Sequence, residues 1–282
     1  MKTIGERYLV VQELGRGAMG AVYEVEDRQT GERLALKLML HGEGRPDLLE
    51  RFRREARSSQ SIASEHVVRI TDSGLAPELE HKPYMVMELL RGAHLGDHLA
   101  RRGPFTVREV CTILRQTAHA LDRAHAAGVV HRDLKPENLF LHEKEDGETM
   151  VKVLDFGVAA LLDEDMTPIT PTGEAVGTLQ YMAPEQTHAQ KRGIGPRADV
   201  WAIGMIAVEL LTGEKYWPSD KPSELLRLLM SAPLTPPSER WPSLPEGFDE
   251  WFSGSCARDP QKRFAKVGDQ VTVLEVIMRK LR

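Results

Sequence analysis

Hydrophobic and polar positions alternate in three short segments near the start of the chain. The segments are YLVVQEL at 8–14, AVYEVED at 21–27 and LALKLML at 34–40, and the turn residues RQTG at 28–31 separate the second from the third. Alternation with a period of two is typical of strands that bury one face. The sequence therefore predicts an antiparallel meander with a glycine-rich loop between its first two strands.

Helical spacing follows further along the chain. A helix is predicted to begin at Asp47, and its inward face carries side chains at three- and four-residue intervals: Leu48, Phe52, Glu55, Ala56 and Ser59. Thr106 and Glu109 form a capping-box pattern for a second, long helix that ends at Gly128. The apolar stripe of this second helix predicts that it is a buried scaffold element.

The two halves of the chain differ in the elements they predict. Roughly the first 90 residues contain strands and one helix, whereas the remainder contains mainly helices and loops. The polar segment HEKEDGETM at 142–150 predicts a surface hairpin loop, and no interior stretch resembles a domain linker. The pattern favours an α+β fold with a small antiparallel sheet region and a larger, mainly helical region.

Composition and charge exclude several classes of protein. A chain of 282 residues is long enough for one large domain or two coupled lobes. With 41% hydrophobic and 28% charged residues, it has the composition of a globular protein. A net charge of -5 gives no basic footprint for neutralising phosphates, so we expect no nucleic-acid partner.

The cysteines and the apolar segments indicate the cellular setting. Cys111 and Cys256 are far apart and match no paired metal spacing, which favours a reduced, cytoplasmic location. Glu6 and Arg7 interrupt the start of the chain, where a secretory signal would need an apolar run, and Glu209 interrupts the longest apolar stretch. We therefore expect no membrane segment in this chain.

A GxGxxG pattern lies between the first two predicted strands. Gly15, Gly17 and Gly20 lack side chains, so backbone N–H groups there can approach phosphate oxygens closely. A dinucleotide-binding fold requires a helix directly after the glycines, whereas residues 22–25 continue as a strand. On these residues alone, an ordinary glycine-rich hairpin remains open as the alternative to a phosphate-binding loop.

The third predicted strand carries a cation among apolar residues. Strand alternation places Ala35 and Lys37 on one face, where the small side chain leaves room for a flat base. An unpaired charge in such a run is costly, so Lys37 needs a partner, and inward-facing Glu55 is the candidate.

Three further motifs carry the chemistry. HRDLKPENLF follows the long helix and places Asp133 and Asn138 at the positions of a kinase catalytic loop. VKVLDFG at 151–157 ends a strand at Asp155, which can ligate magnesium, and GTLQYMAPE at 177–185 closes the series. Five ordered motifs in one chain do not arise by accident.

On these motifs the chain resembles the protein kinase family over residues 8–275, and most closely its bacterial serine/threonine branch. The resemblance implies a bilobal fold, with an N-lobe at 1–88, a hinge at 88–92 and a C-lobe at 93–282. It also implies ATP as phosphoryl donor, Mg²⁺ as the metal, with Mn²⁺ as an alternative, and protein substrates that include the kinase itself.

The resemblance assigns different tasks to the catalytic side chains. Asp133 orients and deprotonates the substrate hydroxyl, Lys135 contacts the γ-phosphate, and Asn138 and Asp155 hold the magnesium ions. These residue types suit a loose phosphoryl transition state, which needs positioning and countercharge more than covalent help.

The resemblance also implies a nucleotide pocket. Lys37, paired to Glu55, holds the α- and β-phosphates; Met87 is the gatekeeper, and backbone groups of Glu88 and Leu90 bond the adenine. Four side chains enclose the ring: Leu14, Val22, Ala35 and Phe140. The loop over the phosphates comprises Gly15, Arg16, Gly17, Ala18, Met19, Gly20 and Ala21. Plain core packing is the alternative for the apolar members.

Other motif residues have structural roles in the resembled family. His131 belongs to a buried hydrophobic spine beneath Phe156 and takes no part in the chemistry. Asp199 resembles the helix residue that anchors the catalytic-loop backbone, and Glu185 resembles the partner of Arg263.

His94 and His98 stand four apart, as zinc ligands can on a helix. The sequence offers no glutamate between them and no third ligand, so they are interpreted as a solvated pair.

Three functional alternatives compete with a serine/threonine kinase. Lys135 and Thr178 follow the serine/threonine pattern and not the tyrosine pattern. A pseudokinase scaffold would have lost a key residue, but all four are present: Lys37, Asp133, Asn138 and Asp155. A small-molecule phosphotransferase of the antibiotic-kinase type would lack Glu185 and Arg263.

Two features suggest regulation. Ser59 stands where many kinases have a larger apolar residue, which weakens the packing that holds Glu55 inward and suggests activation by homodimerisation or phosphorylation. Thr170 and Thr172 lie in a segment rich in proline, threonine and small residues, so we hypothesise that they are autophosphorylated and paired with Arg132.

Two nearby threonines have other expected roles. Thr178 is expected to bond Asp133 and Lys135 as a structural hydroxyl, and Thr167 is a weaker third candidate for modification. The alternative is that the threonines of this segment are merely solvated loop residues.

Overall fold

The computed structural model describes residues 2–17, 20–39, 61–156, 179–187 and 194–279. The chain divides into two compact units, one formed by Met1–Ala63 with Val67–Arg91 and the other by Ser64–His66 with Gly92–Arg282. The first unit carries an antiparallel sheet, and the second carries helices with a smaller sheet. The α+β class expected from the sequence is confirmed, whereas the helix predicted from Asp47 lies outside the described residues.

Six strands form the sheet of the first unit in the order β1-β2-β3-β4-β6-β5, and every neighbouring pair is antiparallel. The strands are β1 (Thr3–Ile4), β2 (Tyr8–Arg16), β3 (Gly20–Asp27), β4 (Arg33–Met39), β5 (Ile70–Ala76) and β6 (Lys82–Glu88). The predicted meander corresponds to β2, β3 and β4. The two-residue strand β1 was not predicted, because its pattern is too short to show a period.

The sheet buries one face in a compact apolar core. Leu34, Leu36 and Leu38 of β4 point into this core together with Val25 and Val86. Since side chains alternate along a strand, Ala35 and Lys37 occupy the opposite face of β4, as the sequence predicts.

The second unit combines a three-stranded antiparallel sheet with seven helices among its described residues. The strands are β7 (Gly92–His94), β8 (Leu139–Glu143) and β9 (Thr149–Val153). The helices are α1 (Leu95–Arg102), α2 (Val107–Ala126), α3 (Arg197–Thr212), α4 (Pro222–Ser231), α5 (Pro237–Arg240), α6 (Phe248–Ser255) and α7 (Val267–Arg279). The hairpin loop predicted at 142–150 is confirmed as the β8–β9 connection.

Helices α2 and α3 form the scaffold of this unit. The capping box predicted for α2 is present, because Thr106 Oγ1 accepts the N–H of Glu109 while the Glu109 carboxylate accepts the N–H of Thr106. Every residue of α3 from Ala198 to Leu210 is buried. None of the described helices is both long and apolar enough to cross a membrane.

A side chain of α2 caps the start of α7. The Asp122 carboxylate accepts the N–H of Val267 at 3.2 Å and that of Gly268 at 3.1 Å. The first N–H groups of a helix lack intrahelical partners, and the positive end of the helix dipole favours an anion there. Asp122 therefore joins two elements that are far apart in sequence.

We predict that Asp122→Ala destabilises the helical unit by about 1 kcal/mol, the usual cost of losing a helix cap. The midpoint of urea unfolding would measure the loss, with Glu246→Ala, at an exposed loop position, as the control. An unchanged midpoint in Asp122→Ala would show that the cap contributes no net stability.

Candidate active site

The hairpin between β2 and β3 carries the glycine-rich loop. A Cβ atom added at Gly15 or Gly17 would meet no heavy atom within 4 Å, so both glycines face open space, as a phosphate-binding loop requires. The chain closes a turn through the N–H of Gly17 and the carbonyl of Gly20, at 2.9 Å, and continues directly as strand β3. This strand excludes the dinucleotide-binding arrangement.

Flanking side chains shape the loop. Leu14 is 48% exposed, although it is a large apolar residue. Arg16 is held by Glu13 at 2.6 Å and by the Tyr23 hydroxyl at 3.1 Å. Ala21 is buried, and Val22 pairs with Lys37 in the sheet. Ala18 and Met19 lie outside the described residues.

Strand β4 aligns the candidate lysine with the strand that leads to the predicted hinge. Lys37 pairs with Met85 of β6, and Ala35 pairs with Met87. The N–H of Glu88 donates to the carbonyl of Arg69 at 3.0 Å, so only the carbonyl of Glu88 could bond a base. Leu90 follows as half-buried backbone outside any strand, and Glu55 lies outside the described residues.

In the second unit, a buried carboxylate holds the catalytic loop. Asp199, at the start of α3, accepts the N–H groups of His131 and Arg132, each at 3.0 Å, and the Nε2–H of His125 at 2.7 Å. Burial alone would raise the pKa of Asp199, but the hydrogen bond and charge of His125, with the charge of His131, outweigh burial and lower it. The predicted anchoring role of Asp199 is confirmed.

One carboxylate oxygen of Asp133 has no hydrogen-bond partner within the part of the chain that the structure describes. Asp133 Oδ2 accepts Lys135 Nζ at 3.0 Å and Asn138 Nδ2 at 3.3 Å. Asn138 Nδ2 also bonds the carbonyl of Asp133 at 2.7 Å. The other oxygen, Oδ1, is buried and has no hydrogen-bond partner among the described residues. A buried acceptor of this kind fits an incoming hydroxyl group.

His131 is fully buried and serves the structure of the loop. Its Nε2–H donates to the carbonyl of Leu154 at 2.8 Å, and its ring centroid lies 4.9 Å from that of Phe156. Asp155, which lies between Leu154 and Phe156 in the sequence, has a left-handed backbone with φ of 53°. The predicted spine contact of His131 with Phe156 is confirmed.

The APE motif is tied to the helical scaffold. Glu185 accepts two hydrogen bonds from Arg263, at 2.7 and 2.8 Å, as the sequence predicts. The Arg263 side chain is fully buried and also donates to the carbonyls of Ala257 and Arg197. Bidentate pairs of this kind fix geometry as well as charge.

The interpretation of His94 and His98 as a solvated pair holds only in part, because both residues are half-buried. His94 Nδ1 accepts the N–H of Asp97 and caps α1, because an imidazole nitrogen can replace the usual capping oxygen. His98 packs against Phe105, and its Nε2 atom is buried without a partner among the described residues. Burial lowers the pKa of His98.

Sequence reasoning missed several residues of this region. The Tyr181 hydroxyl donates to Glu209 at 2.5 Å, and the side chain of Gln186 bonds the carbonyl of Arg132. Burial and the nearby Glu209 carboxylate raise the pKa of Tyr181, so this hydroxyl remains a donor. The one available signal was Glu209 itself, a charged residue inside the apolar run of α3.

The sequence of this chain matches the family pattern described as protein kinase domain over residues 8–272. The chain therefore belongs to the protein kinase family, whose members use ATP and a divalent cation. It is 39% identical to the serine/threonine-protein kinase Pkn1 of Myxococcus xanthus, with 96% of this chain and 38% of that protein aligned. It is 36% identical to PknH of Mycobacterium bovis, with 93% and 42% aligned.

These relatives are bacterial serine/threonine-protein kinases, and the chain spans about two fifths of their length. The fold agrees with the PknI kinase domain of Mycobacterium tuberculosis. That comparison has a TM-score of 0.76 at 25% identity and covers 98% of this chain and 97% of the other. The predicted kinase fold is confirmed.

We predict that Glu209→Gln stabilises the helical unit by about 1 kcal/mol at neutral to alkaline pH. Burial raises the pKa of Glu209, so ionising its carboxyl costs free energy in the folded chain, and this cost grows as pH rises. The glutamine keeps an acceptor for Tyr181 without the charge. Urea unfolding of both proteins between about pH 5 and pH 8 checks the prediction. A gain that did not grow with pH would contradict it, and exposed Glu246→Gln is the control.

Proposed function

We propose that this chain transfers the γ-phosphoryl group of ATP to serine and threonine hydroxyls of proteins, including its own. The observation that carries the proposal is the hydrogen bonding of the two carboxylate oxygens of Asp133. One carboxylate oxygen is held by Lys135 and Asn138, and the other is buried without a partner among the described residues. This arrangement suits a base that accepts the proton of an acceptor hydroxyl.

The first unit supplies the proposed nucleotide contacts. Lys37, paired with Glu55, would hold the α- and β-phosphates, and the backbone of the glycine loop would cover them. The open space above Gly15 and Gly17 supports this role. The adenine contacts stay proposals: the Glu88 carbonyl and Leu90 N–H would bond the base beside Met87. Three side chains of this unit would border the ring, namely Leu14, Val22 and Ala35, and the fourth proposed residue, Phe140, belongs to the second unit.

The second unit supplies the proposed metal ligands. Both side-chain hydrogen bonds of Asn138 to the loop are donated by Nδ2, so its amide oxygen points away from Asp133 and suits a hard cation. Asp155 adds a carboxylate. These oxygen donors fit Mg²⁺, which would neutralise charge on the phosphates. Mn²⁺, with similar preferences, would fit the same donors.

The choice of substrate class follows from the APE segment. The pair of Glu185 with the buried Arg263 holds the segment at 183–187, which small-molecule phosphotransferases lack. All four residues whose loss would mark a pseudokinase are present. We therefore infer a protein substrate and active catalysis.

We predict that Lys37→Met and Asp155→Asn each reduce phosphoryl transfer by about 100-fold or more, because both remove charge complementarity at the phosphates. Asp133→Asn should lower kcat by a similar factor with little change in ATP affinity, since its partner is the acceptor hydroxyl. Labelled ATP with Mg²⁺, a generic protein substrate and mapping of the modified residues measure these effects. Substantial transfer by a folded Asp155→Asn protein would contradict the metal assignment.

We also propose that phosphorylation of Thr170 and Thr172 activates the enzyme. Both threonines lie outside the described residues, but their proposed cation is described. Arg132 Nε is buried and has no hydrogen-bond partner among the described residues. A phosphothreonine brings about two negative charges and three acceptor oxygens to such a guanidinium.

Two further proposals concern the setting of the enzyme. Homodimerisation would bring one active site to the threonines of a second copy and would support the helix that carries Glu55. A cytoplasmic location would supply ATP, and it fits the two cysteines, Cys111 and Cys256, which form no disulfide.

The Thr170→Ala, Thr172→Ala double variant should lose at least tenfold in kcat, and phosphosite mapping of the active enzyme should find phosphate on one of these threonines. Arg132→Ala should make the enzyme insensitive to this modification. Undiminished activity of the double variant would refute activation at these residues and leave the kinase assignment standing.

A further inference from the structure

A glutamine side chain connects the segment after the APE motif to the catalytic loop. Gln186 Nε2 donates to the backbone carbonyl of Arg132 at 2.7 Å, and Gln186 Oε1 accepts the N–H of Ala183 at 3.0 Å. The residue is 9% exposed, so both ends of its amide group are engaged in a buried setting. The sequence motifs assign no role to this residue.

The carbonyl that Gln186 holds belongs to a strained residue. Arg132 has φ of 67°, a left-handed conformation that is unfavourable for a residue with a side chain. Its N–H is bound by Asp199, and the next carbonyl, that of Asp133, is bound by Asn138. The peptide between Arg132 and Asp133 is thus held from both sides, and Gln186 is the partner that holds its carbonyl oxygen.

The turn that carries Gln186 is itself fixed to the helical scaffold. Residues 184–187 form a single 3₁₀ turn, closed by the N–H of Gln186 on the carbonyl of Ala183 at 2.9 Å. Glu185 ties this turn to the buried Arg263. The neighbouring residues Glu185 and Gln186 therefore bind in two directions, one to the helical scaffold and one to the catalytic loop.

Only an amide of this length satisfies both contacts. The Arg132 carbonyl requires a donor, and the Ala183 N–H requires an acceptor. Glutamate would keep the acceptor but place a second oxygen against the carbonyl of Arg132. Methionine has a similar length and offers neither group. A buried carbonyl that loses its donor remains unsatisfied, and the strained peptide then loses a restraint.

We propose that Gln186 is a positioning residue for phosphoryl transfer, which fixes the peptide before Asp133 through the Arg132 carbonyl. This inference rests on the proposed function, since it assigns Gln186 to the geometry of the proposed base. It does not require Gln186 to touch ATP or the acceptor protein. A displacement of the base by about 1 Å is enough to slow transfer strongly.

The test compares Gln186→Met and Gln186→Glu with the wild-type chain. We expect kcat to fall about tenfold in both variants while the KM for ATP stays within about twofold, because the nucleotide contacts are unchanged. The loss should be larger for Gln186→Glu at about pH 8 and should shrink towards about pH 6, since protonation of the introduced carboxyl restores a donor. An unchanged kcat in both folded variants would overturn the proposal.

Gln270→Met is the matched control for lost stability. Gln270 is fully buried, and its Nε2 donates to the carbonyl of Val200 at 2.9 Å, so its replacement also removes a buried side-chain bond to the backbone. We expect it to lower the melting temperature without the tenfold change in kcat. If Gln270→Met also lowers kcat about tenfold, general destabilisation explains the effect of the Gln186 variants. That result would overturn the proposal.

Hydrogen exchange separates this inference from the proposed function. In Gln186→Met the amides at 131–135 should exchange several-fold faster than in the wild-type chain, whereas Gln270→Met should leave them unchanged. This readout needs no activity. A wild-type chain without phosphoryl transfer would refute the proposed function alone, and unaltered exchange at 131–135 would refute the role of Gln186.

Discussion

The candidate catalytic loop depends on one buried carboxylate. Asp199 accepts two backbone N–H groups and one imidazole N–H, and it is almost completely removed from solvent. A buried charge is tolerated only when its hydrogen-bonding capacity is used, so the carboxylate and the loop stabilise each other. Without Asp199, the N–H groups of His131 and Arg132 would be left unsatisfied, and the left-handed backbone of Arg132 would lose the contact that holds its N–H.

Further polar contacts connect the loop that Asp199 holds to the neighbouring elements. Asn138 holds Asp133 from one side, His131 joins the loop to the strand end at Leu154, and the Glu185–Arg263 pair fixes the APE segment. Each of these contacts uses a side chain to bind a backbone group or a charge of a different element. The candidate catalytic residues of the loop are therefore placed by polar contacts, while the apolar stripe of α2 and the buried helix α3 support the loop.

The parts of the structure that the sequence predicted have a local pattern. Strands β2 to β4, the capping box of α2 and the residues of the catalytic motifs follow periodicity or fixed spacing, which a single sequence displays. Asp122, Gln186 and the Tyr181–Glu209 pair could not be found in this way. Their partners are many positions away, and a single polar side chain carries no periodic signal.

The interpretation of His94 and the missed strand β1 also have local causes in the sequence. His94 looked like a surface residue because histidine is not an expected helix cap, and β1 spans too few residues to alternate. The predicted partner of Lys37 and the predicted phosphorylation sites lie outside the described residues, so they stay predictions. The family comparison settles the class of protein.

The distance along the chain between Asp199 and the loop it holds affects how the domain folds. Sixty-eight positions separate Asp199 from His131, so the loop cannot reach its final shape until α3 has docked against α2. Contacts of such long range form late, because the chain must first lose the entropy of closing the intervening segment. Recovery of catalytic competence during refolding should therefore coincide with assembly of the whole helical unit, and no separately folded fragment of the catalytic loop would be expected to hold that geometry.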